Sequence, residues 1–222
     1  MILPQALVLD LDGTLIDSAA DLASAVNMLL REFRRPEVSL DAVRSMIGDG
    51  LGVLALRALS ATGEPPSPRD LPGITKRLLQ HYINPSRPAR TQVYPGVVET
   101  LQQLKKRGVR LGLCTNKAQE ATELVLTKTG LSAFFDCVVG QDFAPKPKPD
   151  PAHVRAVLTG LDSPQIAVMV GDSGNDLAAG RGAGLPVVLV TYGYSTKGPL
   201  AAADATIDRF ADLPDALGRV LG

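Results

Sequence analysis

The stretch Ala6-Leu7-Val8-Leu9-Asp10-Leu11-Asp12-Gly13-Thr14-Leu15 predicts the fold of this chain and the location of its site. Its first four residues are an unbroken apolar run, which is typical of a β-strand buried on both faces. Asp10 and Asp12 follow that run directly, at the end of the strand where open α/β sheets place their ligand crevices. Asp-x-Asp-Gly is also a common turn pattern, because Asp and Gly favour turns. The buried strand in front of it favours a functional site.

Two carboxylates at this spacing suit a site that holds a divalent cation and attacks a phosphate. Asp10 would act as nucleophile and metal ligand, and Asp12 is close enough to transfer a proton. Mg²⁺ prefers carboxylate oxygens, usually together with phosphate oxygens and waters. The sequence therefore predicts a Mg²⁺ site at Asp10 and Asp12.

Further apolar runs predict four more strands of the same kind, at residues 109–114, 137–139, 166–170 and 186–190. Helical patterns lie between most of these runs. Strands that alternate with helices form right-handed crossovers and a parallel sheet covered by helices on both faces. We therefore expect an α/β fold with a three-layer, Rossmann-like parallel sheet core.

A long segment after the first strand contains helical patterns and no convincing strand. We expect it to form an α-helical insertion over residues 17–85, with residues 1–16 and 86–222 forming the α/β core. Pro85 and Pro88 lie in the stretch that would return the chain to the core, since prolines are typical of linkers.

Two polar motifs follow later in the chain. Thr115 and Asn116 end the second core strand, where a hydroxyl and an amide can bind phosphate oxygens together with backbone N–H groups of the next helix. Either residue could instead only cap that helix. Lys146 lies between prolines that fix its backbone and so present its ammonium group at a defined position. A proline-rich loop with lysines is, however, more often a solvated linker.

The fourth strand runs into Gly171-Asp172-Ser173-Gly174-Asn175-Asp176, where two further carboxylates occupy a glycine-rich turn. Asp172 would complete an oxygen-rich metal site with Asp10 and Asp12. A turn followed by a helix cap explains one such motif, but two of them on neighbouring strands favour a site.

The charge balance excludes several classes of partner. Lys and Arg together number 23, as do Asp and Glu, so the formal net charge is zero. Long-range attraction of nucleic acid or an acidic membrane is therefore absent, and no apolar run approaches the length of a membrane span. We expect a small phosphorylated metabolite as partner, a cytoplasmic location, and a monomer or homodimer.

In their order along the chain, these motifs resemble those of the haloacid dehalogenase superfamily of aspartate-nucleophile phosphatases. The helical insertion is similar to the family's small α-helical cap. Within the superfamily, residues 12–21, 47–50 and 94–96 look most like those of bacterial phosphoglycolate phosphatases. Leu9 departs from the pattern, since many relatives have Phe there, but the exchange is between apolar residues.

The resemblance implies that Asp10 forms an aspartyl-phosphate and that Asp12 protonates the leaving alcohol and later activates water. It implies that the Asp10 and Asp172 side chains and the Asp12 main-chain carbonyl hold Mg²⁺. Thr115 and Lys146 would bind the phosphate, and Asp176 would orient Lys146 or the metal-bound waters.

The resemblance also implies that the loop of Gly48, Asp49 and Gly50 faces the active site, although this loop could equally be a simple turn between helices. We expect Asn116 to contribute to substrate binding as well.

These observations predict a Mg²⁺-dependent phosphatase for a small phosphate monoester, with 2-phosphoglycolate as the first candidate. A phosphatase for a sugar phosphate, an amino-sugar phosphate or pyrophosphate is the alternative, as is a phosphosugar mutase. A phosphate-binding module with an inactive site is a third class. The intact set of Asp10, Asp12, Lys146 and Asp172 argues against it, because a binding module needs no paired nucleophile and acid.

Overall fold

A computed structural model describes residues 3–84, 86, 89–194 and 200–222. The chain forms two compact units, one of residues 1–17 and 93–222 and one of residues 18–92. Pro85 and Pro88, predicted to lie in a linker, are outside the described residues. In the described part of the chain, no helix is long and apolar enough to cross a membrane.

The helices and strands follow one another along the chain as β1 (Ala6–Leu9), β2 (Ile16–Asp17), α1 (Ala19–Glu32), α2 (Leu40–Arg44), α3 (Leu51–Ala61), α4 (Leu71–Ile83), β3 (Gln92–Val93), α5 (Val97–Lys106), β4 (Arg110–Cys114), α6 (Gln119–Thr129), β5 (Cys137–Val139), α7 (Pro151–Gly160), β6 (Ala167–Gly171), α8 (Gly174–Gly182), β7 (Val187–Val190), β8 (Ala205–Ile207) and α9 (Leu213–Leu221).

The first unit is built on a six-stranded sheet with the strand order β5-β4-β1-β6-β7-β8. Every pairing in this sheet is parallel, and β1 lies between β4 and β6. The predicted parallel α/β core is therefore confirmed. Strand β8 was not predicted, because its middle residue, Thr206, is polar and interrupts the apolar run.

The central strand β1 is completely buried along its length. Ala6 and Val8 pack in one cluster with Val154 and Val157 of α7. Leu7 and Leu9 point to the opposite face, since side chains alternate along a strand. A fully buried Val or Leu side chain contributes about 1.5–3 kcal/mol to stability. The carboxyl end of β1 is thus a rigid position, and Asp10 follows it directly.

The second unit consists of α1 to α4. Helix α1 packs against α2 and α4, and α3 packs against α4. Glu32, the last residue of α1, accepts a hydrogen bond from Arg77 of α4 and bonds to the His81 ring at 2.7 Å. The Ser39 hydroxyl caps α2 by accepting a hydrogen bond from the Ala42 N–H. All of these elements are helical, as the periodicity predicts.

Asp21 of α1 ties the end of this unit to its beginning. Its buried carboxylate accepts hydrogen bonds from the N–H groups of Arg90 at 3.1 Å and of Thr91 at 2.9 Å, and from the Thr91 hydroxyl at 2.6 Å. These contacts join residues 90 and 91 to α1, within the compact unit of residues 18–92. The predicted domain bounds, with the helical insertion over residues 17–85, stay a prediction.

We expect Asp21→Ala to lower the free energy of unfolding by about 2 kcal/mol, because the hydrogen bonds that the buried Asp21 carboxylate accepts are lost. Urea unfolding measures the change. Asp41→Ala is the matched control, since the Asp41 side chain is exposed and should shift the midpoint little. Equal midpoints for the two variants would contradict the role of Asp21.

Candidate active site

Three predicted site residues of the first unit lie at the carboxyl edge of the parallel sheet. Asp10 follows β1, Thr115 follows β4, and Asp172 follows β6. Because β4, β1 and β6 are adjacent and parallel, these ends lie side by side. Topology alone therefore brings together residues that are far apart in the chain.

Three buried carboxylates form the centre of this edge. Asp10, Asp172 and Asp176 each offer an oxygen within 4.8 Å of the others. The Nζ atom of Lys148 lies 2.7 Å from Asp10 Oδ1 and 2.7 Å from Asp176 Oδ1. The Lys148 side chain is only 3% exposed, so this ammonium group is enclosed with the carboxylates.

Burial dominates the electrostatics of the cluster. It raises the pKa of Asp10 to about 7, although the Lys148 ammonium group works in the opposite direction. Burial also raises the pKa of Asp172 well above its usual range, and the neighbouring Asp176 and Asp10 add to this effect. For Lys148, burial alone would lower the pKa, but Asp10 and Asp176 raise it above its ordinary value. A divalent cation would offset the excess of carboxylates over ammonium groups.

The lysine of this site differs from the predicted one. Lys146 has a side chain that is 71% exposed and that lies 3.4 Å from Asp150, four residues further on. The prediction was that Lys146 binds the phosphate and that Asp176 orients Lys146 or the metal-bound waters. In the structure Lys148, and not Lys146, lies against Asp10 and Asp176. The sequence Pro145-Lys146-Pro147-Lys148-Pro149 offers two equivalent lysines, so the pattern could not distinguish them.

Hydrogen bonds with Asn116 explain why Lys148, and not Lys146, lies in the site. Its Nδ2 donates to the Lys148 carbonyl at 2.9 Å, and its Oδ1 accepts from the Lys148 N–H at 3.0 Å. This double hydrogen bond fixes the backbone of Lys148 beside the end of β4. The Asn116 side chain thus positions the lysine, and its contact with substrate stays a prediction.

Asp176 is held by the first turn of α8. Ser173 and Asp176 form a capping box, in which the Ser173 hydroxyl accepts from the Asp176 N–H. Asp176 Oδ2 accepts from the N–H groups of Asp172 and Ser173 at 3.2 and 3.0 Å, and from the Ser173 hydroxyl at 2.6 Å. With Oδ2 so engaged, Oδ1 is the atom that holds Lys148.

Asp172 is enclosed by residues that the sequence analysis did not single out. The Tyr194 N–H donates to Asp172 Oδ2 at 2.7 Å. A Cβ atom on Gly13 or on Gly193 would overlap the Asp172 carboxylate, so both positions need glycine. The Tyr194 hydroxyl also donates to Asp17 at 2.9 Å, which links this loop to β2. Aromatic residues after β7 carried no recognisable signal.

The Asp12 side chain pairs with a lysine. Its Oδ2 and Oδ1 atoms are 2.8 and 3.1 Å from Nζ of Lys117, a residue that sequence analysis passed over. The predicted contribution of the Asp12 main-chain carbonyl to a metal site stays a prediction. Thr115 is buried at the end of β4, where its hydroxyl accepts from the Lys117 N–H at 3.2 Å. Its contact with phosphate also stays a prediction.

The loop of Gly48, Asp49 and Gly50 belongs to the helical unit, between α2 and α3. Both glycines have positive φ angles, 127° and 87°. The Asp49 carboxylate pairs with Arg57 at 2.6 Å, and Arg57 also donates to the Met46 carbonyl at 2.9 Å. The loop is therefore anchored to α3, and its part in substrate binding stays a prediction.

Comparison with known proteins agrees with this geometry. Residues 7–190 match the haloacid dehalogenase-like hydrolase family. The phosphoglycolate phosphatase of Caulobacter vibrioides is 41% identical over 211 residues, covering 93% of this chain and 88% of the relative. That of Rhodospirillum rubrum is 41% identical over 224 residues, covering 97% and 92%.

A solved structure shows the same fold. The crystal structure of a predicted phosphoglycolate phosphatase from Haemophilus somnus superposes with a TM-score of 0.86 at 30% identity, and the match covers 97% of this chain and 98% of that one. The chain belongs to the haloacid dehalogenase-like hydrolase family. Within it, the chain is a phosphoric monoester hydrolase similar to phosphoglycolate phosphatases.

Proposed function

We propose that this protein hydrolyses 2-phosphoglycolate in a Mg²⁺-dependent reaction that passes through an aspartyl-phosphate, an acyl phosphate on Asp10. The observation that carries the proposal is the buried cluster in which Lys148 bridges Asp10 and Asp176 beside Asp172. A nucleophile, a charge-balancing ammonium group and two further carboxylates meet there at the carboxyl edge of the sheet.

In the first step, a carboxylate oxygen of Asp10 attacks phosphorus. A bond forms between Asp10 and phosphorus, while the bond from phosphorus to the leaving oxygen breaks. Asp12 donates a proton to that oxygen, and the alcohol departs. Lys148 and Thr115 stabilise the charge on the phosphoryl oxygens.

In the second step, water attacks the same phosphorus atom. Asp12, now a carboxylate, takes a proton from the water, and the bond between Asp10 and phosphorus breaks. Inorganic phosphate leaves and the Asp10 carboxylate is restored. Asp12 thereby returns to its acid form, so the two steps balance in protons.

The residues present fit a magnesium ion. The donors are all oxygens, which Mg²⁺ prefers, and burial raises the pKa values of Asp10 and Asp172, as expected for carboxyls that need a nearby positive charge. The Asp10 and Asp172 side chains would hold the ion with the Asp12 carbonyl. When bound, Mg²⁺ supplies Lewis-acid shielding of the phosphoryl charge. Asp176 has both oxygens engaged by Lys148 and the Ser173 turn, so we assign it the role of positioning Lys148.

We expect Gly193→Ala to raise the Mg²⁺ concentration needed for half-maximal activity about tenfold, because the added methyl group displaces the Asp172 carboxylate. A magnesium titration of the initial rate measures the shift. Gly73→Ala is the matched control, since a Cβ atom there meets nothing within 4 Å. An unchanged titration of Gly193→Ala would remove Asp172 from the metal site.

The choice of 2-phosphoglycolate rests on the relatives, which are named phosphoglycolate phosphatases and cover most of this chain. We assign the helical unit of residues 18–92 to the role of the family's cap domain, which selects the substrate. Gly48, Asp49 and Gly50 are the residues of that unit to which we assign the contact with the leaving group.

The deciding experiment measures inorganic phosphate released with Mg²⁺ from 2-phosphoglycolate, a sugar phosphate, an amino-sugar phosphate and pyrophosphate. Asp10→Asn serves as the blank. We expect the highest kcat/KM for 2-phosphoglycolate, and acid quenching should recover phosphate on the peptide that contains Asp10.

A preference for another ester would support phosphatase activity but would reject 2-phosphoglycolate as the substrate. Phosphate retained in a rearranged product would identify a mutase. No release from any ester would leave a phosphate-binding module.

A further inference from the structure

Lys117 is a charged side chain that the reaction described above does not use. It is 2% exposed and follows directly after Thr115 and Asn116 at the end of β4. A buried ammonium group is costly unless it is paired. The group that the Lys117 ammonium contacts at the carboxyl edge of the sheet therefore indicates its role.

The Lys117 backbone is fixed on both sides. Its N–H donates to the Thr115 hydroxyl at 3.2 Å, and its carbonyl accepts from the Gln141 N–H at 2.9 Å. The side chain thus starts from a rigid point beside the end of the adjacent strand β1.

The Lys117 ammonium group contacts both carboxylate oxygens of Asp12, at 2.8 and 3.1 Å. Two contacts to one carboxylate restrict its rotation about the side-chain bonds, which otherwise populate several rotamers. A buried ion pair is weak evidence for stability, because apolar residues of similar volume often serve stability as well. Because Asp12 is the proton-transfer residue of the proposed reaction, a buried ion pair on it favours a role in fixing the position of the Asp12 carboxyl group.

We propose that Lys117 is a positioning residue, which holds the Asp12 carboxyl group where it can pass a proton to and from the reacting oxygen. The inference rests on the proposed function, since it assigns to Asp12 the proton transfer of both steps. Lys117 acts through Asp12 in this account and makes no contact with the phosphate.

The test compares Lys117→Met, Asp12→Asn and the double variant on two substrates. Glycolate is a poor leaving group that needs a proton, whereas nitrophenolate from p-nitrophenyl phosphate leaves without one. For Lys117→Met we expect kcat on 2-phosphoglycolate to fall about 10²-fold, the scale of general acid–base catalysis, with KM nearly unchanged. The first-turnover release of nitrophenolate should stay close to that of the wild type. Lys128→Met, on the exposed end of α6, is the matched control.

The double variant separates positioning from an independent role. If Lys117 acts through Asp12, its removal adds nothing to the loss already caused by Asp12→Asn. Losses that multiply in the double variant would overturn the proposal, and so would a rise in KM with kcat unchanged. An equal fall in nitrophenolate release and in turnover of 2-phosphoglycolate would also overturn it.

If the proposed function itself were wrong, the same experiment would give a different result. In that case Asp12→Asn alone would leave the turnover of 2-phosphoglycolate intact, or the wild type would release no phosphate. If Lys117→Met does not fold, Lys117→Arg keeps the charge and should retain a KM near that of the wild type with a smaller fall in kcat. A kcat of Lys117→Arg no higher than that of Asp12→Asn would contradict the proposal.

Discussion

Asp10→Asn is expected to lower kcat by at least about 10⁴-fold, because an amide oxygen cannot form the covalent bond to phosphorus that a carboxylate forms. The variant should remain folded. Lys148 keeps Asp176 as a partner at 2.7 Å, and the neutral amide replaces a carboxyl whose pKa burial has raised to about 7.

Phosphate release in the presence of Mg²⁺ measures the loss, and a urea titration checks the fold. Asp162→Asn provides the matched control, since it makes the same chemical change in a nearly fully exposed side chain. Residual turnover within about tenfold of the wild type would refute the assignment of Asp10 as nucleophile.

Lys148→Met is expected to lower kcat by about 10²–10³-fold, because the buried ammonium group no longer balances the charge of the carboxylates and of the transferred phosphoryl group. Lys146→Met, two residues upstream, should leave kcat and KM unchanged. The pair of variants compares Lys146, the lysine named in the sequence analysis, with Lys148, the lysine that the structure brings to Asp10.

Steady-state rates at saturating Mg²⁺ make this comparison. Removing one partner of a buried ion pair costs about 3–5 kcal/mol, so the fold of Lys148→Met must be checked by circular dichroism. Lys148→Arg keeps the charge and offers a second variant. It should also be slow, since the bulkier guanidinium does not place one donor between Asp10 and Asp176 as the ammonium group does. A larger loss in Lys146→Met than in Lys148→Met would contradict the assignment.

The acidic half of the site could be predicted from the sequence because its residues are adjacent to strands. Asp10 and Asp172 each end an apolar run, and parallel strands share one carboxyl edge, so the runs alone indicated that these carboxylates would meet. The parallel sheet and the helical segment after β1 followed from periodicity in the same way. Strand β8 did not, because the polar Thr206 interrupts its apolar run.

The basic half of the site was decided by tertiary structure. Lys146 and Lys148 are equivalent in the sequence, but Asn116 forms its two hydrogen bonds with the backbone of Lys148, the lysine that is enclosed. Lys117 reaches Asp12 across two neighbouring strands, 105 positions apart in the chain. Long flexible side chains take their direction from packing and hydrogen bonds that form only on folding, whereas short carboxylates at strand ends are placed by the backbone itself. The sequence by itself therefore determined the sheet and its acidic edge, and the tertiary structure decided which ammonium groups contact the carboxylates there.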